Sequence, residues 1–351
     1  MRSVISAKNA RRNMTLAISE LGSPIQHGGN LAMARALFPW APEPWIDLST
    51  GINPHSYPHT PISGNVFARL PEPSSLERLK TVAAVAYRAP SPAHIAAGPG
   101  TQILLPIIAG LVGGNGKAAI LSPTYAEHAR AATMAGFQVL ETDDLDELAT
   151  ASLAVIVNPN NPTGRIVSTD DILALAEIMR AKGGLLVVDE AFMDVSEAQS
   201  VAGDVGECGL IVLRSFGKFY GMAGLRLGFA IGHPDITVKI EERLGPWAVS
   251  GPALHVASEA LADADWQAAM RVRLSADAAR LDAALSAAGI PVFGGTSLFR
   301  FIRDKRAQGV FQHLGEHGIM TRRFDDRPDD LRIGLPEEKD WSRLEEALVG
   351  F

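Results

Sequence analysis

From about Pro92 onward, short apolar runs alternate with stretches of helical periodicity, and this alternation constrains the fold more than any other feature. Short apolar runs are typical of strands buried on both faces, and helices between them indicate crossovers in a mostly parallel sheet. The predicted strands are His94–Ala97, Ala118–Leu121, Leu153–Val157, Leu185–Val188 and Ile211–Leu213, and the predicted helices are Thr101–Val112, Tyr125–Ala135 and Thr169–Ala181. This order predicts an α/β fold.

Polar and glycine-rich segments follow the apolar runs. In chain order they are GPGTQ (98–102), SPTY (122–125), NPNNPTG (158–164), DEAF (189–192) and RSFGK (214–218). Ligands of α/β proteins bind beyond the carboxyl ends of the parallel strands. The sequence therefore predicts a ligand site at this edge of the sheet.

A second domain is indicated by a change of pattern after Gly245 and Pro246. An alanine-rich helical stretch from about Ala253 to Ala288 is followed by three short strand-like runs, Pro291–Phe293, Leu298–Ile302 and Leu331–Ile333. The 351 residues also exceed the size of about 250–300 at which a single core usually stops growing. We predict a large domain of residues 47–245, a smaller α+β domain of residues 15–46 plus 246–351, and a loose tail at residues 1–14.

Composition argues against several classes of function. Lys plus Arg number 32 against 39 Asp plus Glu, and the net charge of −7 disfavours a nucleic-acid binder. The single cysteine, Cys208, precludes an intrachain disulfide, and no Cys/His cluster has the spacing of a zinc site. No apolar run reaches the length of a membrane span. We expect a cytoplasmic protein without a metal, a membrane anchor or a nucleic-acid partner.

Lys218 lies in the segment SFGKFYGMAGLRLG, which follows a predicted strand. Ser215 precedes it by three positions and Arg226 follows it by eight. A hydroxyl and a guanidinium can bind a phosphate while the lysine acts as a covalent nucleophile. A lysine in a glycine-rich loop is usually a solvated surface residue, so the spacing to Ser215 and Arg226 is what favours a site.

Asp189 and Asn161 follow two of the buried runs. A carboxylate at the end of a buried strand is costly unless it is paired. Asp189 is therefore interpreted as the partner of a protonated ring nitrogen, with a helix N-cap or a metal ligand as the alternatives. The amide of Asn161 has the chemistry to bind a ring hydroxylate, although Asn-Pro steps also simply mark turns.

Two weaker signals lie earlier in the chain. Gly100 and Thr101 begin a predicted helix, where free backbone N–H groups and the helix dipole favour a phosphate. Tyr125 follows a strand and has the shape to stack on a flat ring, although a core tyrosine is the alternative. The segment GLVGGNGKA is not a phosphate-binding loop, because Leu111 stands where the first glycine is required.

Taken in order, GPGTQ, SPTY, NPNNPTG, DEA, SFGK and GLRLG resemble the class I/II aminotransferase family, which depends on pyridoxal 5′-phosphate (PLP) and has fold type I. The resemblance covers about Pro92–Gly232 directly. It implies a mostly parallel sheet in a large domain, a smaller α+β domain, a homodimer, and PLP bound to Lys218 as a Schiff base. The other residues implied are Asp189 at the pyridine nitrogen, Asn161 at the ring hydroxyl, Tyr125 against the ring, and Gly100, Thr101, Ser215 and Arg226 at the phosphate.

Two positions depart from the pattern of this family. Phe192 stands where relatives often have a tyrosine that shares the contact to the ring oxygen. Leu70 stands where relatives often have a tyrosine that reaches the phosphate of the neighbouring subunit. Neither departure removes the lysine, so both bear on how the cofactor is tuned.

The flanking segments QHGGNLAMARALFP (26–39), IDLSTGINPHSYP (46–58) and RRFDDRPDDLRIGLP (322–336) resemble the threonine-phosphate decarboxylases of cobalamin biosynthesis. The implied reaction converts L-threonine O-3-phosphate into (R)-1-amino-2-propanol O-2-phosphate. The substrate-binding residues implied are Arg332 for the α-carboxylate, then His27, Asn30 and one of Arg322 and Arg323 for the distal phosphate, together with Gly51 and Asn161.

Two other functions remain open from the sequence. A histidinol-phosphate or related aminotransferase would use nearly the same residues, because a tilt of the substrate changes which bond at Cα breaks. A non-catalytic PLP-fold module is the alternative from another class. Fold alone does not decide between these chemistries.

Overall fold

The computed structural model describes residues 27–114, 116–206 and 209–351, so the predicted tail at 1–14, residues 15–26 and Cys208 lie outside the described residues. The strands are β1 Ile46–Asp47, β2 Ile95–Gly98, β3 Lys117–Leu121, β4 Gln138–Thr142, β5 Leu153–Val157, β6 Leu185–Asp189, β7 Leu210–Ser215, β8 Gly228–Gly232, β9 Gly294–Thr296, β10 Phe299–Arg303, β11 Ile319–Met320, β12 Arg322–Arg323 and β13 Asp330–Gly334. The helices are α1 Leu31–Leu37, α2 Gly64–Ala68, α3 Pro73–Ala86, α4 Thr101–Val112, α5 Glu127–Met134, α6 Leu145–Leu148, α7 Thr169–Ala181, α8 Phe216–Phe219, α9 Pro234–Leu244, α10 Gly251–Ala262, α11 Ala264–Ala287, α12 Ala307–Glu316 and α13 Trp341–Val349.

A seven-stranded sheet in the order β2-β8-β7-β6-β5-β3-β4 forms the centre of the large domain. Strand β8 runs antiparallel to both of its neighbours, and the other pairs are parallel. The prediction of an α/β fold with a mostly parallel sheet is therefore confirmed.

Alternate residues of the central strands feed two apolar cores, one on each face of the sheet. In β6, Leu186 and Val188 pack into one core, whereas Leu185 and Val187 pack into the other. Successive side chains of a strand point to opposite faces, so an uninterrupted apolar run indicates a strand that is covered on both sides. Helices lie against both faces and leave the carboxyl ends of the strands accessible.

A smaller α+β unit is built around a four-stranded antiparallel sheet in the order β12-β13-β10-β9. Beside it, β1 pairs in parallel with β11, so that Ile46 is opposite Ile319. The segment around residue 46 thus pairs with the C-terminal part of the chain.

The two long helices that follow residue 245 contact different parts of the molecule. Helix α10 packs against α3, and α3 in turn packs against β2 of the large sheet. The following helix, α11, has 24 residues and contacts both α13 and β10 of the small domain. Helix α10 thus packs toward the large sheet, and α11 packs toward the small antiparallel sheet.

Residues 51–57, here called the Asn53 loop, lie along α8. The backbone N–H of Asn53 donates to the carbonyl of Lys218 at 3.0 Å, and its side-chain amide donates to the carbonyl of Phe219 at 2.7 Å. At the far end of the loop, His55 Nε2 lies 2.8 Å from Asp277 Oδ2 on α11. The loop is thus fixed on one side to the segment that carries the lysine and on the other to the helix between the domains.

Candidate active site

A cavity of about 160 Å³ opens at the carboxyl ends of the large-domain strands. Its walls contain all eight residues predicted to bind the cofactor. They are Gly100, Thr101, Tyr125, Asn161, Asp189, Ser215, Lys218 and Arg226. Gln102 and Phe192 also contribute to the walls. Residues that are far apart in the sequence meet here because each lies at or beside the edge of the sheet where the parallel strands end and the antiparallel β8 begins.

Lys218 is partly buried in α8, directly after β7. Its Nζ lies 5.7 Å from the centroid of the Phe192 ring. Burial, reinforced by the positive charge of Arg332, lowers the pKa of Lys218 to about 8, although Asp189 opposes this shift. A lysine with a lowered pKa supplies more of the neutral amine, which is the nucleophilic form.

Asp189 ends β6 and is only 5% exposed. Its Oδ1 accepts from the backbone N–H of Ala191 at 3.0 Å, and its Oδ2 lies 2.9 Å from Nε2 of the buried His128. The carboxylate accepts, so this nitrogen of His128 carries the proton and donates. His128 was not among the residues predicted from the sequence. The available signal was its position three residues after Tyr125, in the first turn of α5.

An anion-binding corner is formed by Gly100, Thr101, Ser215 and Arg226. Gly100 has a φ of +89°, and a Cβ there would lie 2.8 Å from Arg226 Nη2. Glycine therefore lets the guanidinium approach the backbone at the start of α4. The helix N-terminus, the guanidinium and the hydroxyl at the end of β7 together suit a phosphate group.

Tyr125 forms an aromatic wall of the cavity. Its hydroxyl donates to Oε1 of Gln102 at 3.0 Å, and its ring meets that of His128 edge-on at 6.0 Å. Burial, assisted by the negative charges of Glu127 and Asp189, raises the pKa of Tyr125 to about 12. The phenol is therefore neutral at ordinary pH.

Arg332 lies on β13 and is only 7% exposed. Its Nη1 donates to Asn161 Oδ1 at 2.5 Å and its Nη2 to the carbonyl of Ser49 at 2.7 Å, and both acceptors are neutral. Its Nε is buried without a hydrogen-bond partner in the described chain. Burial and the charge of Arg322 lower the pKa of Arg332 to about 10. A buried cation with neutral partners suits an anionic ligand.

Arg322 and Arg323 lie on opposite faces of β12. Arg322 is paired with Arg332 across the sheet, and Arg323 is paired with Leu331. Arg322 is partly buried, and its charge acts on both Tyr125 and Arg332. The structure therefore brings Arg322 to the site.

The neighbouring Arg323 lies away from the cavity. Its guanidinium carbon is 5.0 Å from the centroid of the Phe311 ring, and its Nε is 3.3 Å from Asp325 Oδ1. Adjacent residues of a strand point to opposite faces, so only one of the two arginines can reach the site. The sequence left the choice between them open.

The remaining predicted substrate residues are placed differently from one another. His27 Nε2 lies 3.0 Å from Glu127 Oε1, and its ring is 6.0 Å from that of Tyr125. A Cβ on Gly51 would lie 3.0 Å from the Phe192 ring, so glycine allows the Asn53 loop to approach the cavity wall. Asn30, in contrast, is exposed and uses its Oδ1 to cap α1. The structure therefore does not bring the side chain of Asn30 together with the other predicted substrate-binding residues.

The chain belongs to the aminotransferase class I and II family, which it matches over residues 64–348. It is 43% identical over 332 residues to a threonine-phosphate decarboxylase from Sinorhizobium sp., covering 94% of this chain and 99% of the relative. A threonine-phosphate decarboxylase from Pseudomonas aeruginosa is 41% identical, with 93% and 98% covered. The family predicted from the sequence is thus confirmed.

Solved structures share the fold at lower sequence identity. The histidinol-phosphate aminotransferase from Sinorhizobium meliloti, solved in complex with pyridoxal-5′-phosphate, superposes with a TM-score of 0.74 at 22% identity. The match covers 82% of this chain and 84% of that one. At this identity the likeness concerns the fold, and it confirms the predicted PLP fold type I.

Proposed function

We propose that the protein binds PLP through Lys218 and decarboxylates L-threonine O-3-phosphate to (R)-1-amino-2-propanol O-2-phosphate, a step of cobalamin biosynthesis. The observation that carries the proposal is the buried guanidinium of Arg332, which has neutral hydrogen-bond partners and faces a second arginine, Arg322, across the sheet. Like charges directly opposite one another are destabilising, and an anion bound between them would relieve this repulsion. The two decarboxylases that match over nearly the whole chain support the choice of reaction.

The residues of the cavity fit PLP. Asp189, held by His128, suits a protonated ring nitrogen. Asn161 accepts from Arg332 through its oxygen, so its NH₂ group is left to donate to a ring oxygen. The cradle at Gly100, which a Cβ would fill, suits the phosphate beside Arg226. When bound, PLP supplies an electron sink for the charge that develops at Cα as carbon dioxide leaves.

Two anchors orient the substrate in the proposed reaction. Arg332 binds the α-carboxylate as a bidentate pair, and Arg322 binds the distal phosphate, with His27, which lies beside the Tyr125 ring, as a further contact. Holding both ends fixes which bond at Cα stands perpendicular to the cofactor ring. The Nζ of Lys218, beside the Phe192 ring, then delivers to Cα the proton that replaces the departing carbon dioxide.

The assembly that we propose is a cytoplasmic homodimer. Large apolar side chains are exposed near the groove that residues 65–72 help to form, including Leu70 at 64% and Trp247 at 57%. Exposed apolar patches of this kind mark interaction surfaces. Light scattering coupled to gel filtration would give the mass, and a monomer at micromolar concentration would refute the dimer.

No helix within the described ranges is both long and apolar enough to cross a membrane.

The test is incubation of the PLP-loaded protein with L-threonine O-3-phosphate and no keto acid. Sustained release of carbon dioxide and 1-amino-2-propanol phosphate is expected, with neither formed by Lys218→Ala. Amino transfer from histidinol phosphate to 2-oxoglutarate without carbon dioxide would instead assign the chain to the aminotransferase reaction.

A further inference from the structure

A buried carboxylate, Glu127, lies behind the aromatic wall of the cavity. It begins α5 and is only 3% exposed. Its Oε2 accepts from Gln102 Nε2 at 2.5 Å and from Arg130 Nη1 at 3.0 Å, and its Oε1 lies 3.0 Å from His27 Nε2. Burial raises the pKa of Glu127, but the hydrogen bonds from Arg130 and Gln102 outweigh burial and lower it overall. Glu127 is therefore ionised, and it only accepts hydrogen bonds.

An acceptor at this position imposes a direction on the hydrogen bonds that lead to the cavity. Gln102 must turn its NH₂ group toward Glu127, so its oxygen faces Tyr125 and accepts from the phenol at 3.0 Å. The hydrogen of the phenol is thereby committed to Gln102, and the ring of Tyr125 is held in one orientation.

The same carboxylate also fixes the segment that carries His27. Because Glu127 only accepts, Nε2 of His27 must carry a hydrogen. Two residues further on, the backbone N–H of Gly29 donates to Ser49 Oγ at 2.7 Å. The carbonyl of Ser49 accepts from Arg332. This segment thus joins the aromatic wall to the arginine proposed for the α-carboxylate.

We propose that Glu127 is a positioning residue that orients Tyr125 through Gln102 on the cofactor side and His27 on the substrate side. The substrate side of this proposal rests on the function proposed above. The cofactor side requires only that PLP binds at Lys218.

The test compares Glu127→Gln with Glu177→Gln as a matched control. Glu177 forms the same kind of i,i+3 pair, with Arg180, on the exposed surface of α7. A glutamine at position 127 can also donate, so the direction of the hydrogen bonds is no longer imposed. Glu127→Gln is expected to change the visible circular dichroism of the bound cofactor and to weaken binding of L-threonine O-3-phosphate about tenfold. Glu177→Gln is expected to match the wild type in both measurements.

Two further variants separate the cofactor side of the proposal from its substrate side. Gln102→Met is expected to change only the circular dichroism, and His27→Asn only the dissociation constant of the substrate, measured from the spectral change without turnover. Adding Glu127→Gln to His27→Asn should weaken substrate binding no further, because the two residues act as one unit.

Several outcomes would overturn the proposal. If Glu127→Gln has the same spectrum and substrate affinity as Glu177→Gln, Glu127 has no positioning role. If Glu127→Gln does not fold, an unchanged circular dichroism spectrum in Gln102→Met overturns the cofactor side of the proposal. If the wild type binds PLP but does not turn over the substrate, the proposed reaction is wrong. The circular dichroism comparison then still decides whether Glu127 positions Tyr125. A wild type that does not bind PLP overturns both.

Discussion

Two arginines are buried to a similar degree in opposite surroundings. Arg214 is 4% exposed, with Nη1 3.0 Å from Glu190 Oε2 and Nη2 2.5 Å from Asp194 Oδ1. Its guanidinium carbon lies 4.4 Å from the centroid of the Tyr87 ring. Arg332 is 7% exposed and donates to neutral oxygens. Arg214 is thus ion-paired inside the protein, whereas Arg332 forms hydrogen bonds only to neutral oxygens.

The pKa values of the two groups move in opposite directions. Burial lowers the pKa of Arg214, but the charges of Asp194 and Glu190 outweigh burial and raise it above its ordinary value. At Arg332, burial and the charge of the neighbouring Arg322 lower the pKa, and they outweigh the opposing charge of Asp47. An arginine that is hydrogen-bonded to internal carboxylates is expected to serve the fold, whereas one that is hydrogen-bonded only to neutral oxygens suits an anion that arrives from outside. Matched substitutions at the two positions test this distinction.

The largest expected effect on stability is that of Arg214→Gln. Removing the guanidinium leaves Glu190 and Asp194 buried without their cation, which should lower the free energy of unfolding by about 3–5 kcal/mol. Urea unfolding followed by far-ultraviolet circular dichroism measures it. Arg35→Gln, which breaks an exposed pair with Glu43, should cost less than about 1 kcal/mol. Equal losses in the two variants would contradict the structural role of Arg214.

Arg332→Gln should have the reverse profile. The glutamine retains a donor for one of the two neutral acceptors, so we expect the free energy of unfolding to change by about 1 kcal/mol. Loss of the carboxylate anchor should lower kcat/KM for L-threonine O-3-phosphate about 100-fold or more. Steady-state kinetics beside urea unfolding gives both quantities. A variant that loses stability as Arg214→Gln does, with activity retained, would remove the distinction.

A smaller effect separates the two adjacent arginines of β12. Arg322→Gln should lower kcat/KM about tenfold, because it removes one charge-assisted contact to the distal phosphate. Arg323 faces Phe311 instead, so Arg323→Gln should change kcat/KM less than about twofold. If Arg323→Gln proves the more damaging variant, the proposed assignment of the phosphate anchor is wrong.

The smallest expected effect is a shift in pH dependence. Only the neutral amine of Lys218 attacks PLP, so attachment to the apoprotein should accelerate as pH rises through about 8 and then level off. Arg332→Gln removes a positive charge that lowers the pKa of Lys218, so the pKa and the midpoint should rise. Arg214→Gln should leave the midpoint in place. Stopped-flow absorbance over a pH series measures both, and a downward shift in Arg332→Gln would contradict the cause assigned here.

Much of the fold and of the cofactor site could be predicted from short-range rules. Apolar runs gave the central strands, and the polar segments after them gave seven of the eight cavity-lining residues that are predicted to bind the cofactor. The eighth, Arg226, came from its spacing to Lys218. Two strands of the large sheet were not predicted. Strand β4 has partly exposed polar residues at the edge of the sheet, and β8 begins and ends with glycine. Neither has the uninterrupted apolar character on which the prediction depended.

The parts that could not be predicted depend on contacts between distant segments. His128 matters because it meets Asp189, 61 positions later in the chain, and Glu127 because it meets His27, 100 positions earlier. Choosing Arg322 over Arg323 required the register of β12 against β13. A sequence specifies these pairings only through the folded chain, so no local pattern reveals them.

The Asn53 loop has a consequence for the order in which the molecule assembles. Asn53 contacts Phe219 across 166 positions of sequence, so the surroundings of Lys218 are complete only after a very long loop has closed. Contacts between residues so far apart in sequence form late, because the chain loses the entropy of closing the loop before the contact contributes any stabilising free energy. The central sheet can therefore fold before the lysine is correctly surrounded. We therefore expect the surroundings of Lys218 to be completed late in folding, once the Asn53 loop has docked on the segment after β7.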